Sequence, residues 1–195
     1  LGITNEKFVC LIVRDSKYLK WSSYHDYRDS NIETFGEAAL ALAVKGYRVF
    51  RMGKAVHRPF KTKHSNIIDY ATSNSRSDFL DIWPMAKCFF CISTQTGLDE
   101  VSRIFRKPAV NVNYLPLKSM VSYDDVLSVP SRLFWENSGQ MLTITDHLNN
   151  PYLRAEQYKD ENIIIEKLSS AEILELVLEK EARITEKWQD TAIDK

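Results

Sequence analysis

Apolar residues fall into two kinds of run along this chain. "KFVCLIV" (residues 7–13) and "KCFFCIS" (87–93) are unbroken, the mark of strands buried on both faces. "YRVFRM" (47–52) and "PAVNVN" (108–113) read as two more strands, the latter as the final parallel one, and "NIIDYA" (66–71) as a short strand or turn. Between them the apolar positions recur at helical spacing. Ser30-x-x-Glu33 forms a capping box before an inward face of Ile32, Phe35, Ala39, Leu40 and Ala43, and Gly46 closes that helix. Ser77 caps "DFLDIWPMA", which Pro84 should end or kink, and "TQTG" leads into "LDEVSRIF". Residues 115–150 are mixed. A second box, Ser169-x-x-Glu172, opens a long final helix with Ile173, Leu174, Val177 and Leu178 on its apolar face.

Strand, helix and strand joined by tight turns make right-handed βαβ units. The expected fold is therefore α/β: a Rossmann-like open parallel sheet with helices on both faces. Residues 1–168 are expected to form that domain, and residues 169–195 a C-terminal helix packed on it or on a missing N-terminal domain.

Composition narrows the partners. The chain has 195 residues, 44% hydrophobic and 27% charged, with 26 basic residues matching 26 acidic ones. Such a balance creates no field for nucleic acid or an anionic membrane surface, and no apolar run is long enough to span a bilayer. Cys10, Cys88 and Cys91 lie in apolar runs and read as buried small hydrophobes, which fits a reducing, cytoplasmic setting. "KCFFCIS" reads as a strand, so Cys88 and Cys91, three apart, are expected on opposite faces and share neither a metal nor a redox bond. His25, His57, His64 and His147 show no ligand spacing and read as surface or loop residues. No metal site and no cofactor is expected.

In open parallel sheets, ligands sit beyond the carboxyl ends of the strands. Those ends present Arg14 and Asp15, then Arg51 and Gly53, then Tyr70, Ser77, Asp78 and Asp81, then Thr94, Thr96 and Gly97. Arginine forks and helix N–H groups suit phosphate oxygens, and the carboxylates suit sugar hydroxyls. An anionic, hydroxylated ligand follows, of which a nucleotide sugar is the obvious member. Each residue has a plainer reading too: the arginines as ion-pair partners, Ser77 and Thr96 as helix caps, Asp81 as a carboxylate favouring a helix dipole. No GxGxxG, P-loop, GxSxG or HExxH is present.

In order along residues 8–150, "VRDSKY", "YRDSNIETF", "GYRVFRMG", "IIDYATSNSRSDFLDI", "CFFCISTQTG" and "KPAVNVN" resemble a family of bacterial glycosyltransferases of surface and capsular polysaccharide loci. The resemblance implies the C-terminal, donor-binding half of a GT-B fold, whose two Rossmann-like domains face each other across a cleft. It implies sugar transfer from a nucleotide-sugar donor to a glycan or lipid-linked glycan acceptor; the two arginines and the helix dipoles at the strand ends are expected to neutralise the leaving diphosphate without a metal. The arginine after the first strand is also similar to that of the fucosyltransferase-like branch, where it contacts the donor diphosphate. By this resemblance Arg14 takes that role and Arg51 supports it as a second, partly solvated cation. Pro84 departs from the uninterrupted helix expected there. A chain of this size holds one such domain, and it opens on Leu1 rather than methionine. Acceptor site and general base are therefore expected on a missing N-terminal domain, with Asp15 as the alternative base. A nucleotide-sugar epimerase of the same architecture and a non-catalytic nucleotide-sugar-binding module are the competing readings.

Overall fold

A computed structural model of the chain describes residues 6–18, 21, 23–120, 125–150 and 152–189. Six parallel strands form its sheet: β1 (Phe8–Ile12), β2 (Arg48–Met52), β3 (Ile67–Ile68), β4 (Phe90–Ser93), β5 (Ala109–Tyr114) and β6 (Val126–Pro130), in the order β3-β2-β1-β4-β5-β6. This is the doubly wound Rossmann order, and it reverses direction between β1 and β4. The expected α/β class is the one observed.

Side-chain alternation explains why the central strands are apolar throughout. Val9, Leu11, Val49, Ile92 and Val110 point to one face, where α1 (Gly36–Val44) and α6 (Ser170–Ile184) cover them. Phe8, Cys10, Phe50, Cys91 and Ala109 point to the other, under Leu80, Trp83 and Met85 of α2 (Asp78–Lys87) and Val101 of α3 (Asp99–Ile104). Helix α1 meets the core through Ala38, Ala39, Leu42 and Ala43. Its small side chains let α6 approach closely. A buried polar network fastens α6 as well: Glu181 accepts from the Tyr47 hydroxyl at 2.9 Å and pairs with Lys45 at 2.7 Å, and Lys180 reaches the Asp125 carboxylate.

Several local expectations are corrected. Leu40 is 47% exposed, because it falls on the side of α1 away from Leu42. The first cap is Asn31, whose side chain accepts from Glu33 N–H, and a short 3-10 turn (Ile32–Phe35) precedes α1. Ser30 is occupied elsewhere, its hydroxyl taking the Asn113 amide at 3.3 Å. Gly46 closes α1 as expected, at φ +93°, with Tyr47 N–H reaching back to Leu42 O. Pro84 does not end α2. Only the bond that its own nitrogen would have made is lost, and Cys88 N–H returns to Pro84 O at 2.8 Å. The box Ser169–Glu172 forms with both hydrogen bonds. On α6 the buried apolar residues are Ile173, Leu176 and Val177, with Leu174 and Leu178 half-buried.

β5 is not the last parallel strand. β6 adds an edge whose residues are only half-buried, where Pro130 is tolerated because no neighbour needs its N–H. Cys88 precedes β4 and so escapes strand alternation; all three cysteines share one side of the sheet. Burial pushes the Cys10 and Cys91 thiols well above their ordinary range. His147 is buried rather than on the surface.

Residues 132–166 build a small unit that sequence left unassigned. β7 (Arg132–Trp135) pairs antiparallel with β8 (Ile163–Glu166), flanked by α4 (Ile144–Asn149) and α5 (Ala155–Asp160). Its core, Leu133, Leu142, Tyr158 and Ile163, closes on Tyr27 and Leu115 from the loops after β1 and β5. The unit thus sits against the carboxyl end of the sheet. No helix among the described residues is long and apolar enough to cross a membrane.

Candidate functional site

A cleft of about 570 Å³ opens at the carboxyl ends of β1 and β4, where the strand order reverses. Seven of the eleven residues singled out from sequence line it: Arg14, Asp15, Gly53, Asp78, Asp81, Thr96 and Gly97. Thr94 lies behind the wall, wholly buried, where its hydroxyl oxygen accepts the Arg14 N–H at 2.7 Å and ties the exits of β1 and β4 together. The Arg14 guanidinium lies 3.0 Å from Asp29, yet its buried Nε and Nη2 have no well-aligned acceptor among the described residues. That leaves donor capacity.

Arg51 does not face solvent. It stands opposite Leu11 in the sheet, on the α1 side, and is 1% exposed. The loop after β2 folds over it, so Nη1 bonds Asp69 at 3.1 Å and Arg58 O at 3.2 Å. Asp69 also accepts Phe60 N–H and the Thr72 hydroxyl, each at 2.8 Å. The partly solvated arginine expected at this strand end is instead half of a buried ion pair that shapes residues 58–72. Gly53 is required where it stands. Its φ of +151° disfavours other residues, and a Cβ would meet Val56 Cγ1 at 3.2 Å.

The third group divides. Tyr70 is wholly buried, donating to Asp81 at 2.9 Å and accepting Ser77 N–H at 3.2 Å. Asp81 also pairs with Arg76, whose other nitrogen holds Lys54 O at 3.0 Å. This chain of bonds fixes the first turn of α2 against the loop after β2. The Ser77 hydroxyl caps α2 through Leu80 N–H at 3.2 Å, leaving Asp78 exposed on the cleft rim. Thr96 does not cap α3; its hydroxyl accepts Leu98 N–H at 3.3 Å in the turn before that helix, and it donates to Asp99, which also takes the Ser93 hydroxyl at 2.6 Å. Burial pushes the Asp99 carboxyl up to about 6, since these neutral donors do not offset its desolvation.

Asp15 is also heavily bonded. Lys17 N–H reaches it at 2.9 Å and His57 N–H at 2.7 Å, and His57 Nδ1 contacts it directly. Burial would raise this carboxyl, but the hydrogen bonds from His57 and Lys17 outweigh it and hold Asp15 below its ordinary value. Such a carboxylate is a weak proton acceptor.

Sequence reasoning missed much of the cleft's lining: Tyr18, Lys54, Val56, Ile82, Leu98 and Val101. Leu98 and Val101 stand three apart at the start of a helix, a spacing that could have placed them together. Lys54 directly follows Gly53 and could have been included with it. No such signal marked His57. No protein-family model, curated protein or solved structure matches this chain.

Proposed function

We propose that the cleft binds the diphosphate and nucleoside of a nucleotide sugar, and that the chain is the donor-binding part of a glycosyltransferase acting on a surface-polysaccharide acceptor. One observation carries the reading. The cleft lies where the strand order reverses, and Arg14 on its wall keeps buried N–H groups without aligned acceptors. Ile82, Leu98 and Val101 offer an apolar bed for a base, and Asp78 an acceptor for ribose or sugar hydroxyls. Arg14 and the first turn of α2 take the phosphate charge. Arg51 does not line this cleft; it shapes the loop after β2 and borders the cavity beside it.

Calorimetry with UDP, GDP, CDP and dTDP tests this, with and without EDTA. At least one should bind regardless of chelator. Arg14→Ala should weaken that binding about ten- to a hundredfold, the worth of a charge-assisted hydrogen bond. No binding by any of the four, or equal binding by Arg14→Ala, defeats the proposal. Transfer or slow hydrolysis of a nucleotide-sugar panel marks a transferase, a changed sugar an epimerase, and binding alone a recognition module.

A further inference from the structure

A second cavity, of about 410 Å³, adjoins the cleft and shares Val13, Arg14 and Asp15 with it as a common wall. Its character is different. Where the cleft is mainly apolar, this pocket is lined by Ser16, Ser30, Asn31, His57 and Arg58. Hydroxyl, amide and guanidinium groups of this kind match the alternating donors and acceptors of a polyol. The Asp15–His57 pair stands at the joint: Asp15 faces both cavities, and the His57 side chain, 56% exposed, faces the polar one.

We infer that the polar pocket receives a hydroxyl-bearing glycan acceptor, and that His57 is the residue that takes the acceptor's proton, with Asp15 as its positioning residue. This rests on the nucleotide-sugar reading of the adjoining cleft. Asp15 accepts from the His57 main chain and engages Nδ1, so two contacts fix the ring's place. A carboxylate on Nδ1 favours the tautomer with its proton there, leaving the Nε2 lone pair free. Asp15 itself is poorly suited to take the proton, because three donors already occupy its oxygens.

The step balances within the two cavities. The acceptor oxygen bonds to the anomeric carbon of the donor sugar as its proton passes to His57 Nε2. The bond from that carbon to the diphosphate oxygen breaks, and its electron pair leaves on the nucleoside diphosphate, beside Arg14. Direct displacement of this kind inverts the anomeric centre. Donor and acceptor would then meet on this one domain, and the general base would not require a second one.

The test has two arms. Imidazole nitrogen NMR on the whole chain should show His57 as the Nδ1–H tautomer, shifting toward Nε2–H in Asp15→Asn, whose amide presents a donor. Turnover of UDP-, GDP-, CDP- and dTDP-sugars, with hexose oligosaccharides as acceptors, should fall about a hundred- to ten-thousandfold in His57→Gln. Nucleotide affinity and melting temperature should stay at wild-type values in that variant. An Nε2–H tautomer in the wild type overturns the inference, as does full turnover by His57→Gln. Nucleotide binding without turnover of any donor also overturns it, while leaving the donor cleft standing. Absence of nucleotide binding removes both readings together.

Discussion

The two ends of the molecule treat buried polar groups differently. Where α6 packs on α1 and the start of β2, they are matched: Glu181 with Tyr47 and Lys45, Lys180 with Asp125. At the carboxyl end of the sheet, atoms are left over: Arg14 Nε and Nη2, Arg51 Nε, Arg28 Nε and His25 Nδ1 are buried without an aligned partner among the described residues. An unmade buried hydrogen bond costs free energy that a ligand can return. The first region holds the fold together, and the second keeps capacity for something else.

Arg51→Ala tests where that boundary runs, and should produce the largest effect. Asp69 would keep its neutral donors but lose its buried cation, so we expect a loss of roughly 3–5 kcal/mol in denaturant unfolding, with little change in nucleotide affinity per folded molecule. A stable variant that binds nucleotide poorly would move Arg51 to the ligand side of the comparison. Ile173→Ala, which empties a wholly buried position of α6, should cost roughly 2–5 kcal/mol and leave nucleotide affinity unchanged. An unchanged unfolding midpoint would show that α6 contributes nothing to the fold.

Acid sharpens the contrast through one carboxyl from each region, because Asp99 and Glu181 titrate in opposite senses. Asp99 is raised in the folded state to about 6 from 3.8, so the fold binds its proton more tightly than the unfolded chain does. Its contribution is fully present below pH 3.8 and is lost as pH rises to about 6, on the order of 2–3 kcal/mol across that window. Burial would raise Glu181 too, but Lys45 and Tyr47 outweigh it and lower its folded value. Its contribution is present above the unfolded value of 4.5 and is lost as pH falls through the lower folded one. Asp99→Asn should flatten the stability profile between pH 4 and 6, and Glu181→Gln the profile on the acid side of 4.5. An unchanged slope in either variant would break the assignment for that region. The smallest effect belongs to Leu40→Ser, within about 0.5 kcal/mol, since that side chain is largely exposed. A larger loss would mean that the outer side of α1 is covered.

Sequence made the sheet legible because strands covered on both faces must be apolar throughout, as Phe8–Ile12 is. It hid β6 because an edge strand is only half-buried, and its Pro130 argues against a central strand. The β7–β8 unit was hidden by its shortness, four residues to each strand. The cleft was partly legible, since strand ends are ordered along the chain. Arg51 misled because its direction depends on register with Leu11 and on a loop that returns over it. His57 looked like an ordinary surface histidine because its partner lies 42 residues away, and no local pattern records such a contact.

Pro84 leaves the Leu80 carbonyl without the helical donor it would otherwise have, midway along α2. On one side of that gap stand Asp78, Asp81 and Ile82 at the cleft; on the other, Met85 and Ala86 are sunk in the core. Helix α2 therefore has a missing rung at mid-length, and its first turn is held from outside instead, by Tyr70 and Arg76 on Asp81. A ligand that reaches Asp78 or Ile82 therefore meets a helix end braced by side chains as well as by its own backbone ladder.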